Sequence, residues 1–469
     1  MKKNESFIDT VISLGSSGEG VIRHEGVTFF VPGCLPQEKV RFKVLKVKDG
    51  VGYGKKEEIL TPSSDRVEPK CPVYEKCGGC QLQHLSYAAQ LSFKKQTVES
   101  CLKKIGNIAF PVDDCVPCDG EWGYRNKLQM PVGVDKEGKT VVGFFAERSH
   151  RIVPVEKCYI HPDWAERVVR ALSSFLRENG IPAYNEADKS GEIRHLVVRD
   201  LGGKAIVTLV STKDTLKNSE RFVKKLSSIF PEFTLVLNVN KRDTNVVFGD
   251  TFIPLYGSGK FEAKEFGIRY GADANTFVQV NGNVREKLYE RALQEVAGES
   301  DEVVFDCYSG GGLLTAMAAK RCKRAYGIEI VKEASACAEE LKAQNGLQEK
   351  MFNLCGDVAE LLPALMEKEK GEKVKLILDP PRAGIARSVL KAIVAAGIPR
   401  LVLISCNPST LARDLGILTG TLVETEKGEL IKAEGGGAYA IERITPFDMF
   451  PQTKHVETVV VLSYQHKKY

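Results

Sequence analysis

From about residue 275 to the end, the chain alternates short apolar runs with stretches of helical periodicity. The runs are bounded by turn residues and are too short for buried helices, so they predict strands. Strands that alternate with helices are typical of a doubly wound, Rossmann-like α/β sheet. The predicted strands are residues 303–305, 325–330, 351–354, 376–378, 401–404 and 458–462.

The first sixty residues have a different pattern, in which short β-rich runs follow one another around turns. Residues 21–31 contain two such runs, and residues 40–48 alternate apolar positions with a basic outer face. Several short strands in so short a segment predict a small closed barrel. Such a barrel suits either RNA binding or a purely structural role, because fold alone does not decide function.

Between these parts the pattern is mixed. Residues 86–105 predict a helix that is a candidate to pack on the C-terminal domain, and a second helix is predicted at about 163–178. We therefore expect three domains: a barrel over 1–62, a mixed α+β domain over 63–270 and the α/β domain over 271–469. The predicted strands of the middle domain are residues 127–132, 140–145, 195–199, 205–210 and 234–238.

Composition adds broad limits. With 469 residues the chain is too long for one core, and its 43% apolar and 27% charged content is ordinary for globular protein. It has no apolar run long enough to span a membrane and no apolar signal segment at its start, which predicts a cytoplasmic protein without membrane contact. The net charge of +5 permits an RNA partner but equally suits a mixed solvated surface. We expect a monomer.

Cysteines are frequent and unevenly placed. Thirteen cysteines in a cytoplasmic chain are not expected to form a disulfide framework. Cys71, Cys77 and Cys80 fall within ten residues, and two glycines separate the last two. Such compactness favours a metal centre, and the spacing alone fits zinc and an iron-sulfur cluster equally well.

Residues 401–407 (LVLISCN) carry an apolar run that ends in a cysteine and is stopped by Asn-Pro. This pattern predicts a buried parallel strand that opens into a loop, and ligands of α/β sheets lie beyond such strand ends. Cys406 is therefore placed either as a reacting thiol or as a small buried hydrophobe, and this stretch alone does not separate the two.

A second loop follows the strand at residues 303–305 and contains Gly310, Gly311 and Gly312. Glycines before a helix let the backbone approach a ligand closely. Glu329 stands nineteen residues after Gly310, a spacing that suits the ribose hydroxyls of a nucleoside. The spacing departs from the strict dinucleotide motif, so the adenosine of another cofactor remains open.

Three more acids follow predicted strands or begin them. Asp357 is placed either to accept an adenine amino group or to cap a helix. Asp379 is fixed at a strand end by two prolines, beyond what a simple turn requires. Glu457 begins the last apolar strand, on one face with His455, and is either a general base or a solvent-exposed edge residue.

Together these motifs resemble the S-adenosylmethionine-dependent RNA uracil-5-methyltransferase family, over essentially the whole chain. The most specific markers are residues 379–382 (DPPR), 405–408 (SCNP) and 450–457 (FPQTKHVE). Residues 124–127 (YRNK) and 277–281 (FVQVN) match further family signatures. The first sixty residues resemble the family's TRAM domain, a small RNA-binding barrel.

The resemblance implies roles for individual residues. Cys406 would be the nucleophile that adds to uracil C6 and Glu457 the base that removes the C5 proton, with Arg382 and Asp379 positioning the uracil and stabilising the enolate. Many relatives carry Asn at the position of Leu313 and Cys at that of Ser309, so Leu313 removes one polar cofactor contact. The implied contacts of S-adenosylmethionine are Gln279, Tyr308, Glu329, Asp357 and Asp379.

Cys71, Cys77, Cys80 and the distant Cys158 match the cysteines that hold a [4Fe-4S] cluster in the subgroup acting on 23S ribosomal RNA. Cys115 and Cys118 have no counterpart in that set. The resemblance therefore implies C5 methylation of a uridine in 23S ribosomal RNA. The same reaction on the tRNA T-loop, cytosine-5 methylation, amino methylation and a non-catalytic RNA-binding protein remain alternatives, although an amino-methyltransferase would carry an aromatic residue where Arg382 stands.

Overall fold

The computed structural model describes residues 1–147, 149–276 and 279–465. Its N-terminal strands close a barrel in the order β1-β2-β3-β5-β4, around a core that includes Phe29 and Phe42. The barrel predicted from the sequence is therefore confirmed. Its strands are β1 (Ser6–Leu14), β2 (Gly20–His24), β3 (Val27–Val31), β4 (Lys39–Lys48) and β5 (Val51–Thr61).

The outer face of β4 is less basic than its sequence indicates. Arg41 pairs with Glu58 at 2.5 Å and Lys43 with Glu57 at 2.9 Å, both across the β4–β5 ladder. These pairs neutralise two of the five basic side chains of β4. Lys46 and Lys48 lie at the end of the strand, where Lys48 is 3.9 Å from Asp49. Periodicity along β4 alone could not reveal this, because the compensating acids lie on another strand.

The middle of the chain forms a seven-stranded sheet in the order β12-β11-β10-β9-β6-β7-β8. Two amphipathic helices cover one of its faces and share a core with it. These strands are β6 (Lys127–Val134), β7 (Thr140–Phe145), β8 (Ile152–Pro154), β9 (Ile193–Asp200), β10 (Lys204–Ser211), β11 (Glu232–Val239) and β12 (Thr251–Tyr256), after α1 (Tyr87–Lys104) and with α2 (Trp164–Asn179) and α3 (Ser219–Ser227).

A hairpin of β13 (Phe261–Glu265) and β14 (Ile268–Ala272) leads into the C-terminal sheet. The hairpin is tied to that sheet's helices, since Arg269 donates to Gln344 O at 2.7 Å and accepts from Asn345. The domain boundary predicted at residue 270 falls inside this hairpin, and the predicted domain limits stay predictions.

The C-terminal sheet has the order β17-β16-β15-β18-β19-β23-β22. Its first five strands are parallel, as expected for a doubly wound sheet. β23 is antiparallel to both of its neighbours, β19 and β22. The remaining elements are α4 (Gly282–Val296), β15 (Glu302–Cys307), α5 (Leu313–Ala319), β16 (Arg324–Glu329), α6 (Lys332–Gln344), β17 (Met351–Cys355), α7 (Val358–Lys368), β18 (Lys373–Leu378), α8 (Arg387–Ala396), β19 (Arg400–Ser405), α9 (Pro408–Leu418), β20 (Leu422–Glu424), β21 (Leu430–Lys432), β22 (Tyr439–Phe447) and β23 (Glu457–Tyr464).

Alternate residues of each buried strand enter two separate cores. Val402 and Ile404 face the core made with α4, α5 and α6, whereas Leu401 and Leu403 face the core made with α7, α8 and α9. Helix α1 packs against α9 and β22, on the second of these faces. No helix within the described residues is long and apolar enough to cross a membrane.

Candidate active site

The register of β19 and β23 brings Cys406 and Glu457 together. These strands are antiparallel, and Ser405 lies opposite Thr458. Cys406 is the next residue after Ser405 and Glu457 the one before Thr458, so the two extend the same ladder at its open end. Cys406 is half-buried and Glu457 is buried. The sequence stretches that carry them are therefore neighbours in space, although fifty residues separate them.

The turn that carries Cys406 is fixed by hydrogen bonds. Asn407 caps α9 by accepting from Ser409 N at 3.1 Å, and its amide donates to Arg382 O at 3.0 Å. Thr410 Oγ1 also donates to Arg382 O, at 3.4 Å. These bonds join the 405–408 motif to the 379–382 motif, because both loops leave the same edge of the sheet.

Opposing electrostatic effects act on the thiol. Burial raises the pKa of Cys406 above its usual value, and the charges of Glu457 and Asp379 raise it further. The Arg382 guanidinium, which is hydrogen bonded to the thiol, lowers that pKa. Cys406 thus has a cationic partner that stabilises its thiolate form.

Two carboxyl groups beside the thiol are shifted toward their neutral forms. Burial, and next the charge of Asp379, raise the pKa of Glu457 to about 8, against a lowering by Arg382. Burial raises the pKa of Asp379 to about 7. Among the described residues no group hydrogen bonds the Glu457 carboxyl, so its position depends on the path of the backbone. A buried carboxyl that titrates near neutral pH suits proton transfer.

The glycine-containing loop lies at the same edge of the sheet. Glu329 accepts from Gly310 N at 2.9 Å and from Val331 N at 2.8 Å, so both of its oxygens are oriented by the backbone. Gly310 has a φ of 54°, and a Cβ added there or at Gly311 would meet no atom within 4 Å. The loop therefore lies beside open space, as a ligand-binding loop requires.

The other predicted cofactor contacts lie in the segments that follow β14, β15, β17 and β18. Tyr308 adopts a φ of 66° after β15. Burial raises the pKa of Tyr308 to about 12, and the charges of Cys307 and, less strongly, of the nearby Asp357 add to that shift. Asp357 caps α7 through a bond from Ala359 N at 2.7 Å, which confirms the helix-cap alternative and leaves one carboxylate oxygen for a ligand. Gln279 follows the β13–β14 hairpin, and its backbone carbonyl accepts from Asn126 at 3.4 Å. Phe277 and Val278 of the same signature lie outside the described residues.

Asp306 is not among the site residues predicted from the sequence. The signal for it was present, because Asp306 is an acid that directly follows an apolar run. Thr315 donates to its carboxyl at 2.6 Å, and burial raises the pKa of Asp306 to about 7. The charges of Asp379 and Glu329 contribute to that shift. The crevice therefore holds several acids close together, which is suited to a positively charged ligand atom.

The four candidate metal ligands lie in one place. Burial raises the pKa of Cys80 and of Cys158 to about 12, and in Cys158 the charges of Cys80, Cys77 and Cys71 contribute. Each thiol is thus near the other three. Within the described ranges, however, no three Cys, His, Asp or Glu side chains are arranged as metal ligands, so the predicted iron-sulfur site is not confirmed. Cys115 and Cys118 are buried elsewhere, and Cys118 accepts from Asn281.

The fold and the site define the class of the protein. The chain matches the solved structure of the tRNA (uracil-54, C5)-methyltransferase of Pyrococcus abyssi, in complex with S-adenosyl-L-homocysteine, with a TM-score of 0.76. The match covers 97% of this chain and 99% of that one at 24% identity, so the two proteins share their overall architecture, which includes the C-terminal α/β methyltransferase fold.

Sequence comparison defines the family. Residues 86–465 match the model of the tRNA (uracil-5-)-methyltransferase family. An uncharacterised RNA methyltransferase of Listeria monocytogenes serotype 4b is 38% identical over 464 residues, which cover 98% of both chains. One of Clostridium tetani is 35% identical and covers 100% of this chain and 98% of its own. The protein belongs to the RNA uracil-5-methyltransferase family.

Proposed function

We propose that the protein transfers a methyl group from S-adenosylmethionine to C5 of a uridine in 23S ribosomal RNA, through a covalent bond between Cys406 and uracil C6. The observation that carries this proposal is the placement of Cys406 opposite Glu457, with Arg382 on the thiol. A nucleophile and a base facing each other across one crevice is what substitution at C5 requires.

The thiolate of Cys406 forms a bond to C6, and the C5–C6 π electrons move toward the C4 oxygen as an enolate. Arg382 is placed to stabilise that negative charge. When bound, S-adenosylmethionine would supply an electrophilic methyl group on its positively charged sulfur. C5 bonds to the methyl carbon while the methyl–sulfur bond breaks, which leaves S-adenosyl-L-homocysteine. Glu457 accepts the C5 proton, the C5–C6 double bond re-forms, and the thiolate leaves. The target uridine must be unpaired or flipped to enter the crevice.

The crevice fits the proposed methyl donor. In this proposal Glu329, fixed by two backbone N–H groups, binds the ribose hydroxyls. The open space beside Gly310 and Gly311 accommodates the part of the ligand that lies against the loop backbone. The free oxygen of Asp357 is available to the adenine amino group. Asp379 and Gln279 are the remaining proposed contacts of S-adenosylmethionine. The carboxylates favour the binding of S-adenosylmethionine, whose sulfur is positively charged, over S-adenosyl-L-homocysteine, whose sulfur is neutral.

A second candidate substrate is the tRNA T-loop. The family description and the activity named for the Pyrococcus protein favour it. The four gathered cysteines favour ribosomal RNA, through their match to the subgroup with an iron-sulfur cluster. We propose that Cys71, Cys77, Cys80 and Cys158 hold a [4Fe-4S] cluster. Their number, their proximity and the bond from Gly79 N to Cys77 Sγ at 3.4 Å fit thiolate ligation.

The N-terminal barrel contributes to RNA affinity in this proposal and not to the chemistry. Lys46 and Lys48 form no salt bridge with the acids of β5 in the described part of the chain. They would contact RNA phosphates, so binding should weaken as the salt concentration rises. Deletion of residues 1–62 should lower RNA affinity and leave turnover at saturating RNA intact. Loss of turnover with unchanged affinity would contradict this part of the proposal.

The test of the whole proposal is a map of 5-methyluridine in ribosomal and transfer RNA from a strain that lacks the gene. Loss of one 23S uridine methylation, restored by the wild-type gene and not by Cys406→Ala, is the expected result. Loss confined to the T-loop would replace the ribosomal substrate by tRNA. Unchanged methylation in both RNAs would contradict the proposed activity.

A further inference from the structure

Three cations, Arg125, Lys127 and Arg199, gather at the central sheet, and among the described residues none of them forms a salt bridge. Lys127 on β6 lies directly opposite Arg199 on β9 in the antiparallel ladder. Arg125, two residues before Lys127, donates its Nε to Lys127 O at 3.2 Å. Burial and the charges of Arg199 and Arg125 lower the pKa of Lys127 to about 8. Like charges side by side destabilise a sheet, so this arrangement needs a compensating interaction.

Arg199 is the most unusual of the three. Arg199 is only 3% exposed. Its Nε and Nη1 are buried and have no hydrogen-bond partner among the described residues. Burial lowers the pKa of Arg199, and the more distant Tyr270, Asp273 and Glu265 counteract it weakly. Glu265 is paired instead with Arg285, at 2.5 Å. A buried donor left without an acceptor costs about 1–3 kcal/mol, and more when it is charged.

We propose that Lys127 and Arg199, with Arg125 at their edge, form a binding site for a backbone phosphate of the RNA substrate. A phosphodiester supplies what the site lacks, a negative charge and several acceptor oxygens for the planar donors of Arg199. This inference rests on the proposed function in so far as the ligand is RNA.

The position of the site supports a nucleotide next to the target. Asn126, between Arg125 and Lys127, donates its N–H to Val280 O at 2.9 Å, so the site adjoins the segment that carries Gln279. Burial lowers the pKa of His455 to about 4, and the charge of Arg125 contributes after those of three other cations. Arg125 is therefore within electrostatic range of the segment that leads into Glu457. Phosphate contacts there would fix the register of the strand and leave base recognition to other groups.

The test uses the full-length protein and a short single-stranded oligouridine as the RNA probe, because a phosphate site does not depend on base sequence. RNA affinity is measured as a function of salt for Lys127→Gln, Lys127→Arg and Arg199→Met. Lys136→Ala is the matched control, because Lys136 is an exposed lysine in the turn between β6 and β7. Thermal melting of the free protein and the binding of S-adenosyl-L-homocysteine are measured in parallel.

We expect Lys127→Gln and Arg199→Met to weaken RNA binding roughly three- to tenfold and to reduce the slope of log affinity against log salt by roughly 0.7 each. Lys127→Arg and Lys136→Ala should bind as wild type does. Arg199→Met should also raise the melting temperature, because it removes an uncompensated buried charge. Binding of S-adenosyl-L-homocysteine should not change in any variant.

Unchanged RNA affinity and salt slope in both Lys127→Gln and Arg199→Met would overturn the inference. A lower melting temperature of Arg199→Met with unaltered RNA binding would make Arg199 structural and overturn it equally. These readouts do not depend on methyl transfer. A wild-type protein that methylates no uridine would defeat the proposed function, whereas the binding measurements would still decide the phosphate site.

Discussion

Gln90 on α1 and Gln452 in the loop before β23 exchange two hydrogen bonds. Gln452 N donates to Gln90 Oε1 at 3.0 Å, and Gln90 Nε2 donates to Gln452 Oε1 at 3.1 Å. Gln452 O also accepts from the N–H groups of Gln81 and Leu82, and its Nε2 donates to Glu121 at 2.6 Å. Every polar atom of Gln452 is thus used, in a residue with a φ of 69°.

We predict that Gln452 positions Glu457 through this loop, because no hydrogen bond from the described residues reaches the Glu457 carboxyl itself. We predict that Gln452→Glu lowers kcat about 10- to 100-fold and leaves RNA affinity nearly unchanged, because it places a second carboxylate beside Glu121 and shifts the loop. Steady-state kinetics with a binding isotherm measure the two effects. The double variant Gln452→Glu with Glu121→Gln should recover part of kcat, and Gln348→Ala, at an exposed glutamine, should behave as wild type. A kcat for Gln452→Glu equal to that of wild type would refute the role.

The same loop contains a buried ion pair. Lys94 on α1 bonds to Asp448, both side chains are 0% exposed, and Lys94 also donates to Phe450 O at 3.0 Å. Lys94→Met leaves Asp448 charged and unpaired, so we predict a loss of about 3–5 kcal/mol in the free energy of unfolding.

Urea unfolding of the single and double variants measures the effect of this pair. Lys94→Met with Asp448→Leu should recover much of the loss, because no charge then remains buried without a partner. If the single variant unfolds at the same urea concentration as wild type, the pair does not stabilise the loop.

The positions of the catalytic candidates could be predicted from the sequence because each follows or begins a run of apolar residues. Cys406 and Asp379 come directly after strands and Glu329 is the last residue of one, and strand ends of a parallel sheet meet at one edge. The contacts made by Gln90, Lys94 and Arg199 could not be predicted in this way. They join segments up to 362 residues apart, and periodicity reports which face a residue occupies, not which distant group it meets.

The pH dependence of turnover should follow Glu457. A base acts only when deprotonated, and burial with the neighbouring Asp379 raises the pKa of Glu457 to about 8, so kcat should rise as the pH passes from about 6.5 to 9. Cys406 also titrates above neutral pH and is bonded to Arg382. The rate of adduct formation with 5-fluorouridine RNA reports the thiol alone and separates the two. A kcat that does not change over this range would contradict the assignment.

Stability should show the opposite trend. A carboxyl whose pKa is raised on folding stabilises the protein below its unfolded pKa, and that contribution is lost as the pH rises through the folded pKa of about 8. The melting temperature of the wild type should therefore fall between about pH 5 and 9 more steeply than that of Glu457→Gln. Parallel curves for the two proteins would mean that folding does not raise the pKa of Glu457.

The cysteine cluster should be detectable in the purified protein. Anaerobically prepared protein is expected to be brown and to contain iron and sulfide, whereas Cys158→Ser should lose both. Cys337→Ser, at an exposed cysteine, is the matched control and should keep them. Because Gln81 and Leu82 follow Cys80 and bond to Gln452 O, loss of the cluster should also speed amide exchange in residues 450–454. Colourless protein with one bound zinc would contradict the cluster.

The final prediction concerns the order in which Cys406 and Glu457 act. Cys406→Ala should bind RNA and form no covalent species, because the thiolate begins the sequence. Glu457→Gln should add to C6 and transfer the methyl group, then stop, since the C5 proton cannot leave. Denaturing gels with a labelled methyl group should therefore show a methylated protein–RNA band for Glu457→Gln, as for wild type with 5-fluorouridine RNA. Retained turnover in Cys406→Ala, with no band in Glu457→Gln, would instead identify Cys406 as a buried structural residue.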